Sequence, residues 1–167
     1  MGVEIERKFL VTGDQWKAQA ERAVRMRQGY LANTERASVR VRSDGDQADI
    51  NIKSLTLGVH RREFEYSIPL AEADEMLDDL CMQPLIEKTR HFVRCGDHLW
   101  EVDVFEGEND GLVVAEVELD AVDEAFEKPV WAGAEVSDDP RYYNVCLIEH
   151  PFSQWEDRDR LLAEMRA

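Results

Sequence analysis

Glu4-Ile5-Glu6-Arg7-Lys8 places two carboxylates and an ammonium on alternate positions. At the two-residue period of a β-strand, Glu4, Glu6 and Lys8 share one face, with about 7 Å between alternate Cα atoms. Ile5, Arg7 and Phe9 share the other. The pattern recurs along the chain. Glu63 and Glu65, Glu101 and Asp103, and Glu116 and Glu118 alternate in the same way, and so do Arg40 and Arg42, and Lys88 and Arg90, with Lys53 and Arg61 on charged faces of their own strands. Paired carboxylates are hard oxygen donors of the kind that Mg²⁺ or Mn²⁺ accepts. Arg and Lys clusters suit phosphate oxygens, Arg as a planar fork and Lys as a point charge. A small polyphosphate with its divalent cations would satisfy both sets at once.

These faces need strands to carry them. Alternation predicts strands near 3–11, 25–31, 37–42, 49–53, 61–68, 85–94, 99–105 and 113–119. A hairpin turn is expected at Ser43-Asp44-Gly45-Asp46 and a second turn at Gly96-Asp97, while Thr56-Leu57-Gly58 breaks a run. Helices are expected over about 14–24, over Ala71 to Met82, near 121–126, and over about 141–149 and 156–166, with residues 129–140 irregular. About eight strands, mostly joined by hairpins, form an antiparallel sheet whose opposite face is largely apolar. Such a sheet can expose its charged face to water. It can also close into a barrel, with the charges lining the inside and helices packed outside. Periodicity alone leaves both arrangements open.

The totals narrow the partners. The chain has 167 residues, 44% of them apolar, and a formal net charge of −16. That balance argues against binding long nucleic acid or an anionic membrane, both of which need a broad basic surface. It leaves room for a small polyanion where the bases are concentrated. Cys81, Cys95 and Cys146 are odd in number and widely spaced, without a CxxC pair, so neither a disulfide framework nor a zinc site is indicated. There is no apolar run of membrane-spanning length and no signal-peptide pattern at the start. A soluble cytoplasmic protein is expected.

Glu4-Ile-Glu-Arg-Lys8 resembles the ExExK signature of the CYTH domain, or triphosphate tunnel metalloenzyme, superfamily. Gly29-Tyr30-Leu31, Val39-Arg-Val-Arg42, Asn51-Ile-Lys53, Arg61-Arg-Glu-Phe-Glu-Tyr66, Glu87-Lys-Thr-Arg90, Trp100-Glu-Val-Asp103-Val-Phe105, Ala115-Glu-Val-Glu-Leu119 and Arg141-Tyr-Tyr-Asn144 resemble further blocks of that family, in its order. The resemblance covers the chain to about residue 150. It implies a mainly β, α+β fold: a closed eight-stranded antiparallel tunnel with a charged lumen. It also implies one such domain over residues 1–167, with a helical tail from about 153. Two divalent cations, Mg²⁺ or Mn²⁺, are implied per site. Glu116 and Glu118 would hold one, and Glu4 and Glu6 would be associated with the second and with the attacking water. Glu63, Glu65 and Asp103 complete the expected metal-side acids. Lys8, Arg40, Arg42, Lys53, Lys88 and Arg90 would grip phosphates, and Arg61, on the charged face of its own strand, is expected to bind substrate with them. Tyr30 would sit near the tunnel mouth, where some members tune substrate choice, and the Arg141 segment would plug or border the tunnel's end.

Family members differ in reaction. The likeness is strongest to bacterial inorganic triphosphatases, so the expected reaction is hydrolysis of a phosphoanhydride bond of triphosphate. Glu4, Glu6, Lys8 and Tyr30 are the expected catalytic groups. An adenylyl cyclase of this family, a hydrolase of thiamine triphosphate or another organic triphosphate, and a polyphosphate-binding module without turnover are the alternatives. His60, His91, His98 and His150 lack ligand spacing, and Trp100 and Trp131 are read as packing groups. The Trp155–Arg166 tail is read as a packing or dimer helix, so a homodimer is among the expectations.

Overall fold

A computed structural model describes residues 2–55 and 59–167; the break expected at Thr56-Leu57-Gly58 lies outside the described residues. In chain order the elements are β1 (Gly2–Val11), a 3₁₀ turn (Gln15–Gln19), β2 (Ala20–Asn33), β3 (Ala37–Ser43), β4 (Ala48–Ser54) and β5 (His60–Ile68). Next come α1 (Leu70–Glu75), which runs into a π-helical turn (Met76–Leu80), then β6 (Ile86–Cys95), β7 (His98–Phe105) and β8 (Val113–Leu119). The chain ends with β9 (Ala132–Glu135), α2 (Asn144–Glu149) and α3 (Arg158–Arg166), with short 3₁₀ turns between.

The strands run antiparallel in the order β5-β4-β3-β2-β6-β7-β8-β1, and β1 then pairs back with β5 from Gly2↔Glu63 to Ile5↔His60. Eight strands therefore form a closed ring, which satisfies backbone donors and acceptors that an open sheet would leave at its edges. β1 is the junction. It pairs with β8 from Ile5↔Leu119 to Leu10↔Val114, while its other edge passes from β5 to β9, which it meets at Phe9↔Glu135 and Val11↔Ala132. In the gap between those partners, Glu6 N donates to Val59 O, Lys8 N donates to Ser137 Oγ, and Lys8 O accepts from Val136 N.

Outward-facing residues of β1, β6, β7 and β8 form one apolar cluster, with Ile5, Phe9, Val93, Trp100, Val102 and Val117 packed beneath Trp16, Phe126 and Trp131. A second cluster seats Ala73, Leu77 and Cys81 on Val41 and Ala48 of β3 and β4. Gly29 permits that contact: a Cβ there would lie 2.7 Å from Leu85 Cδ2 and 2.8 Å from Cys81 Cβ. The third cluster lies at one end of the ring. There the inner face turns from charged to apolar, and Leu10, Tyr30, Ile86, Phe105 and Val114 meet Tyr142, Tyr143, Val145, Leu147, Phe152, Trp155, Leu161 and Met165. The C-terminal segment thus packs across one end of the ring. Its α3 contributes Leu161 and Met165 to this cluster.

Several elements differ from expectation. Residues 14–24 form only the 3₁₀ turn and the start of β2, because Ala20 to Gln28 pair with β6 from Val93 to Ile86. Ladder hydrogen bonds there override the helix preference of Ala, Glu and Arg. The 121–126 stretch is turn and extended chain, which lets Phe126 lie 5.8 Å from the Trp100 ring and 6.2 Å from Phe9. The expected irregular region 129–140 contains β9. The helix expected to Met82 ends in a π turn that swings Leu80 out of the apolar stripe, leaving it 67% exposed. Among the described residues no helix is long and apolar enough to cross a membrane.

Candidate active site

The alternating charged positions converge inside the ring around a cavity of about 280 Å³. β1 supplies Glu4, Glu6 and Lys8, and β2 supplies Tyr30. β3 supplies Arg40 and Arg42, β4 supplies Lys53, and β5 supplies Arg61, Glu63 and Glu65. β6 adds Lys88 and Arg90, and β8 adds Glu116 and Glu118. Asp103 is the exception. It is fully buried behind this wall, and its carboxylate accepts from Lys88 Nζ at 2.7 Å and from Arg90 Nε and Nη2 at 2.8 and 2.9 Å. Both oxygens are taken by cations of the protein, so Asp103 orients two bases and does not face the cavity as a metal ligand would. Strand parity reports a face and not a depth, which is why alternation groups it with the metal-side acids.

Tyr30 lines the cavity within the apolar end cluster, beside the C-terminal segment. Glu101, which sequence alternation groups with the charged faces, lines the cavity, and so do Asn51, Ser38, Tyr143, Asn144 and Val145, to which the sequence assigns no catalytic, binding or metal role. Asn51 is readable, since it alternates with Lys53. Tyr143 and Asn144 belong to the Arg141-Tyr-Tyr-Asn144 block expected to border the tunnel's end, and Val145 follows them into the cavity lining.

Most lumen cations are already paired. Lys8 Nζ lies 3.1 Å from Glu116 and donates to Tyr142 O at 3.2 Å. Lys53 Nζ lies 2.8 Å from Glu4, Arg40 and Arg42 approach Asp49 at 3.4 and 3.6 Å, and Arg90 reaches Glu101 at 2.6 Å. Lys88 Nζ also donates to Asn144 Oδ1 at 3.2 Å, tying β6 to α2. Asn51 Nδ2 donates to both Glu63 and Glu65.

The acids divide into two groups. Burial opposes ionisation of Glu116 and Asp103, yet neighbouring cations win: Lys8 and Arg90 hold Glu116 well below the usual carboxylate range, and Arg90 and Lys88 hold Asp103 down. Glu6, Glu101 and Glu118 are pushed the other way. Burial, the Glu116 charge and a hydrogen bond with Glu4 raise Glu6 to about 8 against the pull of Lys53. Burial raises Glu101 despite Arg90, and burial together with Glu101 and Glu6 raises Glu118. Register explains the crowding, because Glu6 stands directly opposite Glu118 across β1–β8, and Glu101 opposite Glu116 across β7–β8. Like charges in such pairs repel. On the basic side, burial lowers Lys88 to about 8 although Asp103 opposes the change.

A crowded set of hard carboxylate oxygens with unbalanced negative charge is what a divalent cation relieves. Glu4, Glu6, Glu101, Glu116 and Glu118 therefore suit such an ion chemically. Among the described residues no three His, Cys, Asp or Glu side chains cluster closely enough to cage one by themselves. A cation here would complete its shell with water and ligand oxygens, as Mg²⁺ commonly does.

Comparison with known proteins agrees with this arrangement. The CYTH domain family model matches residues 2–143. An inorganic triphosphatase of Acetivibrio thermocellus is 45% identical over 157 residues, covering 94% of this chain and all of the relative. An inorganic triphosphatase of Nitrosomonas europaea is 38% identical over 148 residues, covering 86% of this chain and 95% of the relative. The crystal structure of an inorganic triphosphatase superposes with a TM-score of 0.63 at 37% identity, covering 89% of this chain and 95% of that one.

Proposed function

Because the chain belongs to the CYTH domain family, we propose that it is a divalent-metal-dependent triphosphatase that cleaves inorganic triphosphate to pyrophosphate and phosphate. The observation that carries this reading is the closed lumen itself, with a basic wall and a crowded acidic wall facing one small cavity. A volume of about 280 Å³ is at the low end of ligand pockets, roughly 300–1,000 Å³, and favours a compact polyanion over a whole nucleotide. Both relatives named above are called inorganic triphosphatases.

Each wall has a task. Arg40, Arg42, Lys53 and Arg61 offer donors to phosphate oxygens and to the charge that develops on the leaving pyrophosphate. Lys8 links Glu116 to the phosphate side. Asp103 holds Lys88 and Arg90 in fixed orientations, so that their charges need not reorganise during reaction. Glu4, Glu6, Glu116 and Glu118 are the carboxylates that would hold Mg²⁺ or Mn²⁺. When bound, the metal offsets phosphate charge and favours ionisation of water. Glu4 and Glu6 orient the attacking water in line with the scissile bond. Lys8 and Tyr30 position the terminal phosphoryl group.

The test supplies triphosphate, ATP and thiamine triphosphate with Mg²⁺ or Mn²⁺, and reads free phosphate and cyclic AMP. Phosphate release, fastest from triphosphate, is the expected result. Cyclic AMP with pyrophosphate, or binding with no product, would overturn it.

A further inference from the structure

Arg61 differs from its neighbours in the lumen. Lys8, Arg40, Arg42, Lys53, Lys88 and Arg90 each have a carboxylate within ion-pair distance. Among the described residues, Arg61 has no ion pair, and its Nε is buried without a hydrogen-bond partner. Its guanidinium instead lies over the ring of Tyr143, 4.5 Å from the centroid.

The ring is itself fixed in place. Tyr143 is buried, and its hydroxyl donates to Ser137 O at 3.0 Å. Ser137 Oγ in turn accepts from Lys8 N at 2.9 Å and donates to Glu135 at 2.7 Å. The ring therefore belongs to the C-terminal segment but is pinned to β1 and β9. An aromatic face holds a guanidinium by its quadrupole and leaves the in-plane N–H donors open, whereas a carboxylate partner would occupy them.

From this geometry we infer that Tyr143 is a positioning residue: its ring holds Arg61 at the end of the tunnel that the C-terminal segment covers, with its donors directed to phosphate oxygens of the substrate. This inference rests on the proposed function. The role assigned to Tyr143 is exerted through Arg61. Lys8 Nζ also lies near the ring, at 5.9 Å, so the test must separate the two cations.

A double-mutant cycle on the full chain does so. Tyr143→Leu is expected to raise KM for triphosphate about tenfold, with kcat changing far less, as loss of a desolvated cation–π contact implies. In the Arg61→Ala background the same change should add less than about twofold, since the ring has lost what it positions. Equal losses in both backgrounds would overturn the role. A series of increasingly fluorinated phenylalanines at position 143 weakens the ring quadrupole without altering its shape, and so serves if the leucine variant folds poorly. KM should climb along that series, and a flat series would overturn the inference. Calorimetric titration of triphosphate without metal reads the same coupling independently of turnover. Wild-type protein that binds triphosphate in this titration but never hydrolyses it would refute the proposed function alone, and additive binding losses would refute the positioning role alone.

Discussion

Glu116 and Glu6 lie within one strand step of each other across β1–β8, yet their environments push their protonation in opposite directions. The protein's own cations satisfy Glu116, while Glu6 faces unbalanced acids. Replacing Glu116 or Glu4 by Gln removes charge with little change of volume. Turnover is expected to fall by about 100-fold or more with the fold intact, read as phosphate release alongside circular dichroism; wild-type turnover would remove that carboxylate from the catalytic set. The titrations also set a pH profile for stability. Between 4.5 and about 8 the folded state keeps a proton on Glu6 that the unfolded chain releases, so stability declines as pH rises through that window. Lys88 acts higher, between about 8 and 10.5, where the unfolded chain holds the proton that the folded state has released, so there stability grows with pH. Between pH 4.5 and 10.5, metal-free protein is therefore expected to show a local minimum of its melting midpoint near pH 8. Added Mg²⁺ should raise the midpoint and release a proton below that pH. Thermal scans with chelator and with Mg²⁺ check both statements, and a monotonic metal-free profile would contradict the assignment.

The strands were readable wherever charged and apolar residues alternate, as in Val39-Arg40-Val41-Arg42 and Glu116-Val117-Glu118. The first half of β2 was not, because Ala20-Glu21-Arg22-Ala23 has helix-favouring composition and becomes extended only through its pairing with β6. β9 is four residues long and includes Gly133, whose Cβ position would approach Leu10 O to 2.9 Å. Its identity as a strand comes from close contact with β1 and not from its own pattern. The lumen residues followed from parity, whereas the depth of Asp103 and the arrival of Tyr143 depend on tertiary packing. Two outcomes belong at this scale. Gly29→Val would drive a side chain into Cys81 and Leu85, and should cost about 1–3 kcal/mol, measured by denaturant unfolding. Asp103→Asn removes one partner of a buried ion cluster and should cost about 3–5 kcal/mol. An unchanged denaturation midpoint in the latter variant would mean that Lys88 and Arg90 do not depend on it.

At the scale of the whole molecule, a net charge of −16 surrounds the cavity proposed to take a polyanion. Free triphosphate is repelled at long range and attracted only near the basic wall. Moderate salt shortens the range of the repulsion to about 10 Å at 0.1 M while the buried bases are screened less. The association rate of metal-free triphosphate is therefore expected to rise from very low salt to about 0.1 M, observable by stopped flow; a steady fall would indicate a basic approach path. Ring closure has a consequence in time as well as space. During synthesis β1 precedes both of its ring partners, yet it pairs with β8 as far as Leu119 and with β5 near His60. Its β5 edge can pair once about sixty further residues are made, but its β8 edge must wait for about a hundred, and loop closure over such separations is slow. The ring thus closes late: the β1–β8 seam that brings Glu6 and Lys8 opposite Glu118 and Glu116 forms only once the last of the eight ring strands has been made.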